Sequence, residues 1–144
     1  MQISETYSVG YPLQRLFVPI PFVSFGLALA TDIAFWQTGN LMWQNFSAWL
    51  LFAGVVFGIV ALLAGVIDLL RPSTRLLRAS LAEILGFLVM IALAIINSLV
   101  HAGDGWTAVV PNGLALSAAT FIVSLITLIF AARSQRVLKW RAAA

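Results

Sequence analysis

The chain has 144 residues, of which 62% are hydrophobic and only 9% charged, with a net charge of +3 and a mean hydropathy of +1.03. A water-soluble domain needs far more polar surface than this, so the bilayer is the solvent for most of the chain. There is no cysteine, which excludes disulfides, thiolate metal sites and cysteine nucleophiles.

The length allows about four spans with short connections and no separate aqueous domain. Met1 to Arg15 is short and polar and has no basic n-region. Ala28-Leu29-Ala30 superficially fits a signal-peptidase site, but hydrophobic residues continue past it, so cleavage is not expected. The first span is expected at about 17–36. Pro19 and Pro21 fall in its opening turns, where missing backbone donors cost least. Pro21, Ser24, Ala28 and Thr31 form its small face, with Asp32 a turn from the far end.

An uncharged loop over Gln37 to Phe46 leads to the second span, about 47–70. Here Gly54, Gly58, Ala61, Gly65 and Asp68 follow at steps of 4, 3, 4 and 3, which places a small-residue groove on one helical face. Arg71-Pro72 and the arginines at 75 and 78 stop it, since proline cannot continue the helix and arginines avoid lipid. The third span, about 79–100, carries Glu83 near its start and Asn97 and Ser98 near its end. A Gly-rich loop over His101 to Asn112 precedes the fourth span, about 113–132. Gly113, Ser117, Thr120, Ser124, Thr127 and Ala131 repeat the groove spacing in a hydroxyl alphabet, and they are the expected mate of the second span's groove. The expected fold class is all-α: one four-transmembrane-helix bundle over residues 1–144.

All eight basic residues, Arg15, Arg71, Arg75, Arg78, Arg133, Arg136, Lys139 and Arg141, fall on one side of such a bundle. The positive-inside rule makes that side, with both termini, cytoplasmic. Trp36, Trp43, Trp49 and Trp106 then mark the opposite interface, and Tyr7, Tyr11 and Trp140 the inner one.

The polar residues admit structural and functional readings. Asp68 and Glu83 flank the arginine-rich turn, where they either clamp it, Asp68 and Arg71 being three apart, or line an ion path. Asp32 is expected near Asn97 and Thr31 as a helix-end tie, with a cation or proton site as the alternative. His101, the one histidine, is expected to be solvated beside Asp104. Arg133, Arg136, Lys139 and Arg141 suit anionic lipid headgroups or a stop-transfer anchor. No histidine pair, phosphate loop or activated serine is apparent, so neither catalysis, a metal nor a cofactor is expected.

The run Tyr11-Pro12-Leu13-Gln14-Arg15-Leu16-Phe17-Val18-Pro19-Ile20-Pro21, then Asp32 and Trp36 to Gly39, resembles the start of a bacterial inner-membrane family of unknown function, domain of unknown function 2231. Gly58, the Gly65-Val66-Ile67-Asp68 ending and Asn97 fit the same family. Its members typically carry histidines where this chain has Tyr11, Gln14 and about Ala82, and an asparagine where it has Gly86. Those histidines would make a haem or metal role plausible in the family, so the resemblance implies a member that keeps packing residues and lacks potential ligands. The leading expectation is a non-catalytic accessory subunit of a larger inner-membrane complex, an electron-transfer complex of respiratory or photosynthetic type being the first candidate. Its partners would be membrane lipids and other integral subunits, with no role for nucleic acid. A small transporter or channel using Asp32, Asp68 or Glu83 is the alternative, and a haem- or quinone-binding redox protein the third.

Overall fold

A computed structural model describes residues 11–77, 79–103 and 106–143, with side chains outside 75–77 and 135–143. It contains helices α1 (Gln14–Phe17), α2 (Pro19–Thr38), α3 (Leu41–Leu70), α4 (Leu81–His101) and α5 (Asn112–Ala143), and no strand among the described residues. Four stretches are long and apolar enough to cross a membrane, Gln14–Thr38, Leu41–Leu70, Leu81–His101 and Trp106–Ser134.

Helices α1 and α2 are nearly one rod, because Val18 between them keeps a helical backbone and donates to Gln14 O at 3.0 Å. The prolines break the ladder: Pro19 and Pro21 have no N–H for the carbonyls of Arg15 and Phe17. Helix α2 ends at Gly39, whose φ of 64° is a left-handed cap that glycine adopts without strain. Asn40 at once caps α3, its Oδ1 accepting the N–H of Met42 at 3.0 Å. The expected ten-residue loop is therefore a two-residue joint, and α3 starts six residues earlier than the hydropathy pattern indicates.

Arg71 terminates α3 in the extended conformation that a residue before proline prefers, and Pro72–Leu77 forms a 3-10 turn. Ser80 and Glu83 then make a reciprocal capping box that starts α4. Trp106–Ala108 is a second 3-10 turn, and α5 runs on past the apolar span, so the basic segment after Arg133 continues its helix.

The helices close a ring in which α2 packs on α3, α3 on α4, α4 on α5 and α5 on α2. Ser47, Leu51, Gly54, Gly58, Ala61, Ala64 and Asp68 are the buried face of α3. The groove predicted there exists, but its occupants are not the hydroxyl stripe of α5, which lies across the diagonal. Gly54 receives the ring of Phe25 from α2, and Gly58 receives Ile91 from α4 and Pro21 from α2. Gly65 faces Gln14. The α5 stripe packs instead on its ring neighbours, Thr127 against Gly86 of α4, while Phe121 lies over Gly26 of α2. Small residues thus meet large ones, which is how helices approach closely where no hydrophobic force separates protein from lipid.

A Cβ on residue 54 would lie 2.3 Å from Phe25 Cε1 and 2.9 Å from Cδ1, and that ring is only 1% exposed. Gly54→Ala is therefore expected to cost about 1–3 kcal/mol through overpacking. Gly26→Ala, whose new Cβ would meet Phe121 at an ordinary 3.5 Å, should be neutral or stabilising by up to about 1 kcal/mol. Unfolding of both variants in detergent micelles measures the difference.

Candidate functional site

The polar residues of the spans collect at the two ends of the bundle. At the tryptophan-rich end one carboxylate connects all four helices. Asp32 of α2 is fully buried, and Ser47 of α3 and Ser117 of α5 both donate hydroxyl protons to it, to Oδ1 and Oδ2 respectively. His101, on the last turn of α4, places Nε2 at 2.9 Å from Asp32 Oδ1. Asn97, one turn earlier, donates from Nδ2 to Ser117 Oγ at 2.7 Å, and its backbone oxygen accepts from His101 Nδ1 at 3.0 Å.

A carbonyl can only accept, so Nδ1 donates that bond and Nε2 is the atom turned to the carboxylate. A carboxylate alone in a low-dielectric interior would be prohibitively costly, and here each of the other three helices supplies it a partner.

His101 is 4% exposed, so the expectation of a solvated loop histidine is corrected. Helix α4 ends one residue past the expected span, at His101, and the buried series Phe87, Met90, Ala94, Asn97 and His101 shows the face that carries it inward. Space for the ring is made by Gly113, where a Cβ would lie 2.7 Å from His101 Cε1 and 2.7 Å from Ala108 O. Asp32 reaches Asn97 only through Ser117 and His101. Thr31, its other expected partner, bonds back to its own helix at Leu27 O and Ala28 O. Asp104 lies outside the described residues.

At the arginine-rich end the acids have separate tasks. Asp68 Oδ2 accepts the N–H of Gln14 at 2.9 Å, so a carboxylate from α3 caps the otherwise orphaned start of α1. Arg71 Nη1 is 3.8 Å from Asp68 Oδ1, near enough for charge attraction and too far for a hydrogen bond, which leaves Oδ1 buried and unbonded. Thr74 ties the turn down by donating to the backbone oxygens of Asp68 and Arg71. Among the described side chains Glu83 pairs with no arginine, and Arg75 and Arg78, its other expected partners, lie outside them. Its carboxylate accepts from Ser80 N at 3.1 Å and Ser80 Oγ at 2.7 Å, the work of a helix cap. Arg75, Arg78, Arg136, Lys139 and Arg141 have no described side chain, nor have Tyr7 and Trp140; Arg133 is exposed.

Of the α5 hydroxyls, Thr120, Ser124 and Thr127 donate to carbonyls of their own helix at 2.7–2.8 Å, and only Ser117 reaches across. No group of three or more His, Cys, Asp or Glu side chains suited to a metal occurs among the described residues.

Four apolar helices, a tryptophan-rich end and an arginine-rich end define a polytopic helical membrane protein. More particularly, the chain belongs to the DUF2231 family, described as a predicted membrane protein, whose model matches residues 10–134. No curated protein and no solved structure matches it.

Removing the Asp32 carboxylate deletes bonds to Ser47, Ser117 and His101. At about 0.6–1.7 kcal/mol for each hydrogen bond within a membrane, Asp32→Ala should cost about 2–5 kcal/mol. Gly113→Ala should also destabilise, by displacing the imidazole without touching a polar group. Glu83→Gln should change stability by less than about 1 kcal/mol, because glutamine serves equally at that capping position. Denaturant titration of the three variants tests this ranking.

Proposed function

We propose that the chain is a non-catalytic accessory subunit of a larger membrane assembly, its own fold serving as the scaffold. The observation that supports this is the use of its buried polar groups. Asp32, Ser47, Asn97, His101 and Ser117 bond one another across four helices, Asp68 caps α1, and the α5 hydroxyls satisfy their own carbonyls. Groups spent on holding helices together leave the outer faces as the surface for function. Those faces are apolar along each span, including Phe52, Leu63, Leu85 and Ile129. In this reading the arginine-rich end with both termini faces the cytoplasm of a bacterial inner membrane, in accord with the positive-inside rule, and an electron-transfer complex is the first assembly to examine.

Extraction in mild detergent should recover the chain in fixed ratio with at least one further integral protein, and tagging that protein should return this chain. Elution of the chain alone under every gentle condition would end the proposal.

A second reading has one observation in its favour: Asp32 and His101 are two buried titratable groups in contact, Nε2 lying 2.9 Å from Oδ1, the arrangement of a proton-handling site. If the chain moves protons, Asp32→Asn in liposomes abolishes flux while Glu83→Gln preserves it. Equal flux in wild type, Asp32→Asn and protein-free vesicles rules the reading out.

A further inference from the structure

The arginine-rich end of the bundle contains a cavity of about 630 Å³ between the N-terminal segment and α3, α4 and α5. Ligand pockets span about 300–1,000 Å³, so the space is large enough for part of an organic molecule. Its charged lining, Arg15, Asp68 and Glu83, belongs to helix ends, and the hydroxyl of Thr127 deeper in is bonded to its own helix. Phe22, Leu62 and Phe87 line it further along the same rods. At a rise of 1.5 Å per residue, the apolar wall extends about 6–12 Å beyond the polar mouth, into the depth of the hydrocarbon.

We propose that this cavity receives an acyl chain of a phospholipid whose headgroup carries both a phosphate and a primary ammonium, that is, an ethanolamine lipid. Water finds too few partners against such walls to fill them, whereas a lipid chain matches them and is the most abundant molecule at that depth. The mouth selects the headgroup by charge. Two carboxylates, Asp68 and Glu83, line it with one guanidinium, Arg15, while Arg71 stands 3.8 Å from Asp68 Oδ1 without bonding it. Asp68 has a side chain only 10% exposed, and its Oδ1 accepts no hydrogen bond. Among the described residues, the bonds that the Glu83 carboxylate accepts both use Oε1. A primary ammonium brings three N–H donors to these oxygens while its phosphate meets Arg15. A choline head has no N–H to offer, and a glycerol head brings a phosphate for Arg15 but no cation for the carboxylates.

The test uses the full chain in bicelles with equal amounts of ethanolamine, choline and glycerol phospholipids of identical acyl chains, and bound lipid is read by native mass spectrometry. Wild type should retain one ethanolamine lipid with a preference of about tenfold over choline, the value of one charge-assisted hydrogen bond. Glu83→Gln keeps the capping box, and Asp68→Asn keeps an acceptor for Gln14. Each should bring the preference towards equality while a chain is still bound. Val66→Trp, on the exposed rim of the cavity, should lower retention of all three lipids. Comparison is made between variants whose thermal unfolding matches wild type, so loss of one variant to misfolding leaves the others decisive. The proposal is overturned if no lipid is retained, if choline or glycerol heads are preferred, or if a quinone is recovered in their place. Unchanged preference in the acid variants, or unchanged retention in Val66→Trp, overturns it equally.

Discussion

The carboxylate of Asp32 is the constraint around which the bundle closes. In hydrocarbon no solvent can complete the hydrogen bonding of an ionisable group, so each partner must come from another helix in register. Here Ser47, Ser117 and His101 arrive from the other three rods at the same height. Any helix that slid by one turn, about 5.4 Å, would leave the acid short of a partner. The network therefore sets the relative heights of four apolar cylinders that lipid-like packing alone would specify weakly.

Its opposite end obeys a looser rule. Asp68, Arg71, Thr74, Ser80 and Glu83 satisfy helix termini and a turn locally, within one or two elements. Glycines draw α2, α3 and α4 together along the middle of the bundle, where Phe25 and Ile91 fill the notches at Gly54 and Gly58. Beyond Gly65 no large side chain of comparable fit follows, only the end of Gln14, and the helices enclose a cavity. One end is thus locked by polar contacts and closely packed, while the other combines capped termini with open volume.

Much of this was legible in the residues. Hydropathy located four spans, and the 4–3 spacing marked the buried faces of α3 and α5, Ser117, Thr120, Ser124 and Thr127 all being buried. Partners were not legible, because a stripe of small residues fits either neighbour or diagonal, and ring order decides which. Hydropathy also erred at helix ends. Gln37 to Phe46 looks like a loop only because polar and aromatic residues belong at the interface; the Gly39-Asn40 pair already held the signal for a left-handed cap followed by an N-cap. The same bias hid His101, although its i+4 spacing from Asn97 continues the buried face of α4.

The separation of the two ends bears on what the acids can do together. Asp32 and Asp68 lie at opposite ends of the bundle, with Phe25, Leu51, Ala61, Met90 and Ala94 packed between them as a continuous apolar core. The hydroxyl stripe that connects the levels on α5 offers no continuous chain of bonds, since Thr120, Ser124 and Thr127 each give their proton to a carbonyl of their own helix. A proton leaving Asp32 would meet a donor already committed at every step, and among the described residues no carboxylate or imidazole lies midway to take it up. Exchange between the ends would require water to enter the core or the helices to part, and the glycine-notched contacts at Gly54 and Gly58 oppose both. The two polar centres are therefore best understood as independent: one fixes the register of the bundle, and the other caps helix termini around a cavity.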